Sequence, residues 1–140
     1  MGVPNSKKLS FMAKRDKSSI YVDAQCLLHT IYRGQFEMDK KDRAVLAVRL
    51  LSHTEEIIAY FAMAFRTEQK LENIDRMLAQ FEIVKVELRF AIEEHMFKNP
   101  VTINRLRELV VKMEEGMEKW RSYVVSARQD SHPSGAGRNG

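Results

Sequence analysis

The chain has 140 residues, of which 44% are hydrophobic and 30% charged, with a formal net charge of +4. This length favours a single domain with one hydrophobic core. Cys26 is the only cysteine, which excludes an intrachain disulfide and a cysteine-rich zinc site. No apolar run approaches the ~20 residues that cross a bilayer, and the N-terminus lacks the apolar segment of a secretory signal. We therefore expect a cytoplasmic protein without a membrane partner.

The positive charge lies in the terminal segments. Residues 1–17 carry five basic side chains against one acidic, and residues 126–140 carry two against one, so residues 18–125 sum to −1. We expect a flexible basic arm at 1–17 and a disordered tail at 126–140 on either side of a folded body at 18–125. Such an arm adds salt-sensitive affinity for phosphates or serves only solubility, and the sequence leaves both alternatives open.

The first half of the body predicts two helices. The first is expected to begin near Ser18 or Ser19, either of which can cap it, and to end at Gly34. Asp39 is a good cap for the second, which runs to about Phe65. Its apolar face repeats every three or four residues. The members of that face are Leu46, Ala47, Leu50, Leu51, Thr54, Ile57, Ile58, Phe61 and Phe65.

The second half predicts two more helices. The third is expected to begin around Thr67 and to place Lys85 on its otherwise apolar face, which comprises Leu71, Ile74, Leu78, Phe81, Leu88 and Ile92. Pro100 ends it, and Thr102 is the expected cap of the fourth. The fourth carries a heptad seam of Ile103, Leu106, Val110, Met113, Met117, Trp120 and Val124. Strand alternation is absent and the loops are short, which predicts an all-α, up-down-up-down antiparallel four-helix bundle.

The sequence offers no recognisable catalytic constellation. A di-iron bundle needs Glu-x-x-His on two helices, and this chain has none. Glu93, Glu94 and His95 are adjacent, so their side chains diverge by about 100° on a helix. His53 and Glu56 share a face, but two groups on one helix do not close a metal site. A nucleophile elbow and a phosphate-cradling glycine loop are also missing, so we expect a non-enzymatic protein with no catalytic residue, metal or cofactor.

Basic residues within the helices are the more informative polar positions. Arg43 and Arg49 lie on the second helix, and Lys85 and Arg89 are one turn apart on the third. Long cationic side chains reach solvent, pair with acids such as Glu56 or Glu82, or face a ligand. The sequence alone leaves these alternatives open.

The order of four segments resembles a known family. The segments are LLHTIYRGQFEM, KKDRAVLAVRLLSHTEEII, KLENIDRMLAQFEIVKVELRFAIE and LRELVVKMEEGMEKWRSYV. They resemble the four-helix-bundle family of Avd, the accessory variability determinant of diversity-generating retroelements, and the related proteins encoded in intervening sequences of bacterial ribosomal RNA genes. The matching positions are Phe36, Arg43, Leu46, Arg49, Leu50, Leu88, Arg89, Phe90 and Trp120. The chain departs from the family at Glu118 and Lys119, where two glycines are usual, and lacks the loop proline before Arg43.

The resemblance implies a non-enzymatic accessory protein that forms a homo-oligomer, a ring-like pentamer, and associates with a reverse transcriptase and its template RNA or DNA. The candidate binding residues are Arg43, Arg49, Lys85, Arg89, Lys119 and Arg121. Because the body sums to −1, nucleic-acid binding requires these cations to sort onto one face. The alternative function is a helical protein-interaction module without a nucleic-acid role, and a metalloenzyme is a third hypothesis.

Overall fold

A computed structural model of the chain describes the backbone of residues 3–66 and 68–131 and the side chains of residues 19–66 and 68–129. Within these residues the fold is all-helical, without strands, and four helices form a bundle. The helices are α1 (Val3–Gly34), α2 (Lys40–Asp42, Arg43–Ala47 and Val48–Arg66 in succession), α3 (Lys70–Glu93) and α4 (Pro100–Ser131). The predicted all-α fold class is therefore confirmed.

The core lies between the four helices, because α1 packs on α2 and α4, and α3 packs on the same two helices. The largest side chains that it buries completely include Trp120, Phe81 and Phe97. The ring centroid of Trp120 lies 5.3 Å from that of Phe61 and 5.7 Å from that of Phe65. Burying one such side chain contributes about 1.5–3 kcal/mol to folding. The apolar faces predicted for α2 and α4 supply part of this core, and α1 and α3 supply a similar share. Phe65, predicted on the face of α2, is 48% exposed.

The core face of α3 differs from the prediction. The apolar side chains that it buries are Ile74, Met77, Phe81, Val84, Leu88 and Ala91. Leu71, Leu78, Lys85 and Ile92, which were expected on this face, are only partly buried and lie at its edge. Steps of three and four fit both rows equally well, and the packing of α3 between α2 and α4 selects the row through Met77 and Val84.

Two predicted helix starts need correction. α1 begins at Val3 rather than near Ser18 or Ser19. Its first part contains no glycine, and Pro4 stands in the first turn, where a missing N–H is tolerated. α3 begins at Lys70, and the expected start at Thr67 lies outside the described residues.

The proposed terminal arms fall largely on residues that are not described. The side chains of residues 1–18 and 130–140 lie outside the described part, as does the backbone of 132–140. The helical backbone nevertheless extends through 3–17 and to Ser131. The boundaries at 17 and 125 therefore fall within helices, and the flexibility of the arms stays a prediction.

The start of α2 contains a short π-helical segment, Arg43–Ala47. A π turn holds more residues than an α turn, and here it coincides with two consecutive buried positions, Leu46 and Ala47. Asp39 occupies the predicted cap position, but its side chain makes no capping hydrogen bond. Its carbonyl oxygen instead accepts a bond of 2.9 Å from the Arg43 N–H.

Gly34 ends α1 as predicted, but for a different reason. Its φ of −67° is right-handed, so no left-handed cap is present. A Cβ at this position would lie 2.9 Å from Cε1 of Phe97 and 3.1 Å from Cγ2 of Thr102. Glycine is therefore needed here for space, because Phe97 packs directly against the end of α1.

Asn99, not Thr102, caps α4. The Asn99 side-chain oxygen accepts a hydrogen bond of 2.9 Å from the Val101 N–H. Pro100 is the first helical residue, where its fixed φ suits the helix and its missing N–H has no cost. Asn99 was overlooked because a residue before proline is biased towards non-helical, extended geometry. A helix N-cap residue has this same non-helical geometry.

The Glu37 carboxylate binds the start of α4 from across the bundle. One of its oxygens accepts hydrogen bonds from the backbone N–H groups of Lys98 at 2.8 Å and Asn99 at 2.7 Å. The other accepts a bond of 2.6 Å from the Thr102 hydroxyl. Thr102 thus helps to join α4 to the α1–α2 connection rather than capping its own helix. An anion at a helix N-terminus is also favoured by the helix dipole.

We predict that Glu37→Ala lowers the free energy of unfolding by about 1–3 kcal/mol, because it removes three hydrogen bonds to a charged acceptor. Urea denaturation followed by circular dichroism measures the change. Glu55→Ala, at an exposed site on α2, is the matched control and should change stability by less than about 0.5 kcal/mol. Equal stabilities for the two variants would contradict the role of Glu37.

α3 ends in a Schellman motif with His95 in a left-handed conformation. The φ of His95 is 58°. The Met96 N–H donates to the Ala91 carbonyl at 2.8 Å, and the His95 N–H donates to the Ile92 carbonyl at 3.1 Å. Glycine is the usual residue at this position, since a side chain is disfavoured at positive φ.

His95→Gly is therefore expected to raise the free energy of unfolding by about 1 kcal/mol, because it relieves the left-handed strain. Thermal and urea denaturation both measure this effect. Glu94→Gly, one residue earlier with a φ of −87°, is the control and should lower stability. A loss of stability in both variants would show that the His95 side chain contributes more than its strain costs.

Candidate functional site

The surface between α3 and α4 carries a row of ion pairs. Every seventh residue along α4 contributes a charge to this row, beginning with Arg107 and continuing with Glu114, Arg121 and Arg128. Glu114 accepts from Lys85 at 2.8 Å, Arg121 donates to Asp75 at 2.6 Å, and Arg128 lies 3.9 Å from Glu72. Seven residues are close to two helical turns, so these positions share one face of α4. Three of the four positions meet an opposite charge on α3.

Lys85 is the best-enclosed cation of this row. Its side chain is 15% exposed, and its Nζ also lies 2.6 Å from Glu82 and 5.2 Å from the centre of the Phe81 ring. Burial lowers the pKa of Lys85, but the hydrogen bonds to Glu114 and Glu82 outweigh it and leave the pKa raised. Lys85 therefore stays charged at physiological pH, and two carboxylates compensate that charge.

A groove of about 430 Å³ lies between α3 and α4 next to Lys85. Its apolar floor consists of Leu88, Ile92, Leu106, Val110 and Val111. Its polar lining consists of Lys85, Arg89, Glu93 and Arg107. The groove therefore combines a hydrophobic base with charged walls.

The two arginines give the groove its electrostatic character. Arg107 occupies the fourth position of the α4 row, and Arg89 lies one turn beyond Lys85 on α3. Neither guanidinium forms an ion pair among the described residues. Glu93 is the acidic residue of the lining, so Arg89 and Arg107 leave the groove with an excess of positive charge, which attracts an anion. The groove is therefore suited to a phosphate or carboxylate.

Arg43, a candidate from the sequence, has a local structural role. Its guanidinium donates to the carbonyls of Gln35 and Met38, each at 3.3 Å. It also lies 5.3 Å from the centre of the exposed Phe36 ring. These contacts hold the α1–α2 connection, so Arg43 does not share the α3–α4 groove.

Arg49 belongs to a polar cluster between α2 and α3. Glu87, whose side chain is only 6% exposed, lies 2.6 Å from Nδ1 of His53 and 3.2 Å from Nη2 of Arg49. The Arg49 contact is an ion pair without hydrogen-bond alignment. The sequence offered Glu56 as an acid for the basic residues of this helix, but Arg49 and His53 both contact Glu87 on the neighbouring helix. This cluster compensates a buried carboxylate.

The remaining candidates are spread along α4. Arg121 is joined to Asp75, and this hydrogen-bonded carboxylate raises the pKa of the guanidinium. Lys119 is exposed and lies outside the groove. The six candidates thus do not form one surface, and the groove gathers only Lys85 and Arg89. Arg107 was not among the six candidates, although its seven-residue spacing from Glu114 was visible in the sequence.

The described residues also bear on two other features, a metal site and a membrane-spanning helix. The described side chains contain no group of three or more His, Cys, Asp or Glu residues arranged to hold a metal ion. Within the described residues, no helix combines the length and the apolar character that crossing a membrane requires. Cys26 is half-buried.

Comparison of the chain with protein-family models, with curated proteins and with solved structures found no match.

We predict that Glu87→Gln lowers the free energy of unfolding by about 1–3 kcal/mol, because it removes the charge that pairs with Arg49 and weakens the hydrogen bond with His53. Arg49→Ala should cost less than about 1 kcal/mol, because the Arg49 side chain is 59% exposed. Urea denaturation of both variants measures the difference. A greater loss for Arg49→Ala than for Glu87→Gln would contradict this account of the cluster.

Proposed function

We propose that this chain is a non-enzymatic nucleic-acid-binding protein whose α3–α4 groove takes phosphate groups. The observation that carries the proposal is the pair of arginines, Arg89 and Arg107, which form no ion pair among the described residues and outnumber the one acid of the groove lining, Glu93. The charges elsewhere along this surface are paired across the two helices. Guanidinium groups bind phosphate oxygens in bidentate geometry and retain their charge at any physiological pH.

The resemblance adds a biological setting to this proposal. It implies an accessory protein of a diversity-generating retroelement that acts in the cytoplasm with a reverse transcriptase and its template RNA or DNA. Contacts to phosphate are independent of sequence, which suits a protein that accompanies a template during copying. An up-down-up-down helix order is part of the proposal. It is supported by the short connections at 35–39, 67–69 and 94–99 and by the packing of α1 on α4.

A protein-interaction module is the second candidate function. It is favoured by a row of exposed apolar side chains on α3, of which Val86 is 61% exposed and Phe90 50% exposed. Exposed apolar rows of this kind usually mark contacts with another protein. The two functions are compatible, because the row and the floor of the groove are different sets of residues.

Fluorescence anisotropy of labelled single-stranded RNA and DNA, measured across a salt series, tests the nucleic-acid function. We expect the affinity of the wild-type protein to fall steeply as salt rises, because binding releases counterions. Arg89→Ala combined with Arg107→Ala should weaken binding by roughly tenfold or more and reduce the salt dependence by about two released ions.

Arg33→Ala combined with Arg66→Ala is the matched control, because it removes two exposed arginines outside the groove. This control should retain most of the affinity. Equal losses in the two double variants would show that binding follows net charge rather than the groove. A wild-type protein that binds neither nucleic acid at low salt would favour the protein-interaction module.

A further inference from the structure

The outward face of α3 carries an apolar row that stays exposed among the described residues. Ile83, Val86 and Phe90 are 45%, 61% and 50% exposed, and Ala79 is exposed one turn before Ile83. Their spacing of four, three and four residues is that of a coiled-coil seam. The core face of α3 runs along other residues of the helix, so this row is a second, independent seam.

The row matches itself when a second α3 is laid against it in the antiparallel direction. With the two-fold axis passing midway between Val84 and Lys85, Ile83 faces Val86 of the second copy. Ala79 then faces Phe90 of the second copy, so a small side chain meets the largest one of the row. Both contacts occur twice because the symmetry repeats them.

The charges at the edges fit the same arrangement. Arg76 and Glu93 are both exposed and extend the row at its two ends. In this register Arg76 of each copy faces Glu93 of the other copy. Glu82 and Arg89, also exposed, flank the row on one side and meet in the same way. In the antiparallel register all four cross-copy charge pairs are therefore opposite in sign. A parallel pairing would place Arg76 against Arg76 and Glu93 against Glu93 of the second copy, which is repulsive.

From this self-complementarity we infer that the occupant of the row is a second copy of this chain, bound through an antiparallel, two-fold α3–α3 contact. Such a contact is closed and gives a dimer. The inference does not depend on nucleic-acid binding, but Arg89 would be shared between Glu82 of the second copy and a phosphate in the groove. It differs from the pentamer that the family resemblance implies.

Sedimentation velocity of the full chain, without nucleic acid, tests the inference over concentrations up to about 100 μM, where weak dimers become populated. The wild-type protein should reach twice the 16.3 kDa mass of one chain. Val86→Glu should raise the dissociation constant at least ~100-fold, because it buries an unpaired charge in the seam. Val22→Glu is the matched control, since Val22 is 54% exposed on α1, and it should leave the mass unchanged.

A charge reversal tests the register of the two copies. Arg76 and Glu93 form no ion pair within the described part of the chain, so either can be reversed without breaking an intrachain contact. Arg76→Glu alone and Glu93→Arg alone each place like charges across the seam and should weaken the dimer by about tenfold. The double variant restores opposite charges and should recover the wild-type dissociation constant.

Circular dichroism confirms that each variant remains folded. A wild-type protein that stays monomeric would overturn the inference, and so would a pentamer. A dimer that is indifferent to Val86→Glu would place the contact elsewhere and would also overturn it. Failure of the double charge reversal to recover dimerisation would exclude the antiparallel register.

Discussion

The hydrogen bonds of the Glu37 carboxylate fix where α4 begins relative to α1 and α2. Two backbone N–H groups and one hydroxyl at the start of α4 converge on this side chain. Gly34 allows Phe97 of the same connection to pack against the end of α1. Because the α3–α4 connection is held at this end of the bundle, the spacing of α3 and α4 near Arg89 and Arg107 is set there as well. The shape of the groove therefore depends on the contact between Glu37, in the α1–α2 connection, and the start of α4.

The ion pairs of the chain, rather than its net charge, determine where an anion can bind. The body sums to −1, which argues against a uniformly basic surface. On the surface between α3 and α4, however, Lys85 is compensated by Glu82 and Glu114, and Arg121 by Asp75. Because these cations are paired with carboxylates, most of this surface does not attract an anion. A local excess of positive charge remains where Arg89 and Arg107 share one groove, and a local excess is sufficient to bind a phosphate.

The fold class was predictable because helical periodicity depends on residue type, and the faces of α2 and α4 follow it closely. The face of α3 was less predictable, since Leu78 and Lys85 fit the same spacing as Met77 and Val84, and only packing between two other helices separates them. The partners of the polar residues were not predictable. The contact between His53 and Glu87 joins two helices, and no local spacing indicates it. The use of Asn99 as a cap was obscured by the adjacent proline.

The outer surface of α3 places two different chemistries next to each other. Its apolar row ends near Phe90, and the neighbouring residue, Arg89, belongs to the charged lining of the groove. A helix that is fully enclosed by its own chain has no need for exposed valine, isoleucine and phenylalanine at seam spacing, because leaving them in water forgoes about 25 cal/mol for each Å² of apolar surface. A two-fold arrangement covers such a row with contacts that close on themselves, so it does not lead to further association. Arg89 would then lie at the edge of the dimer contact as well as in the groove, so both properties depend on the same turn of α3.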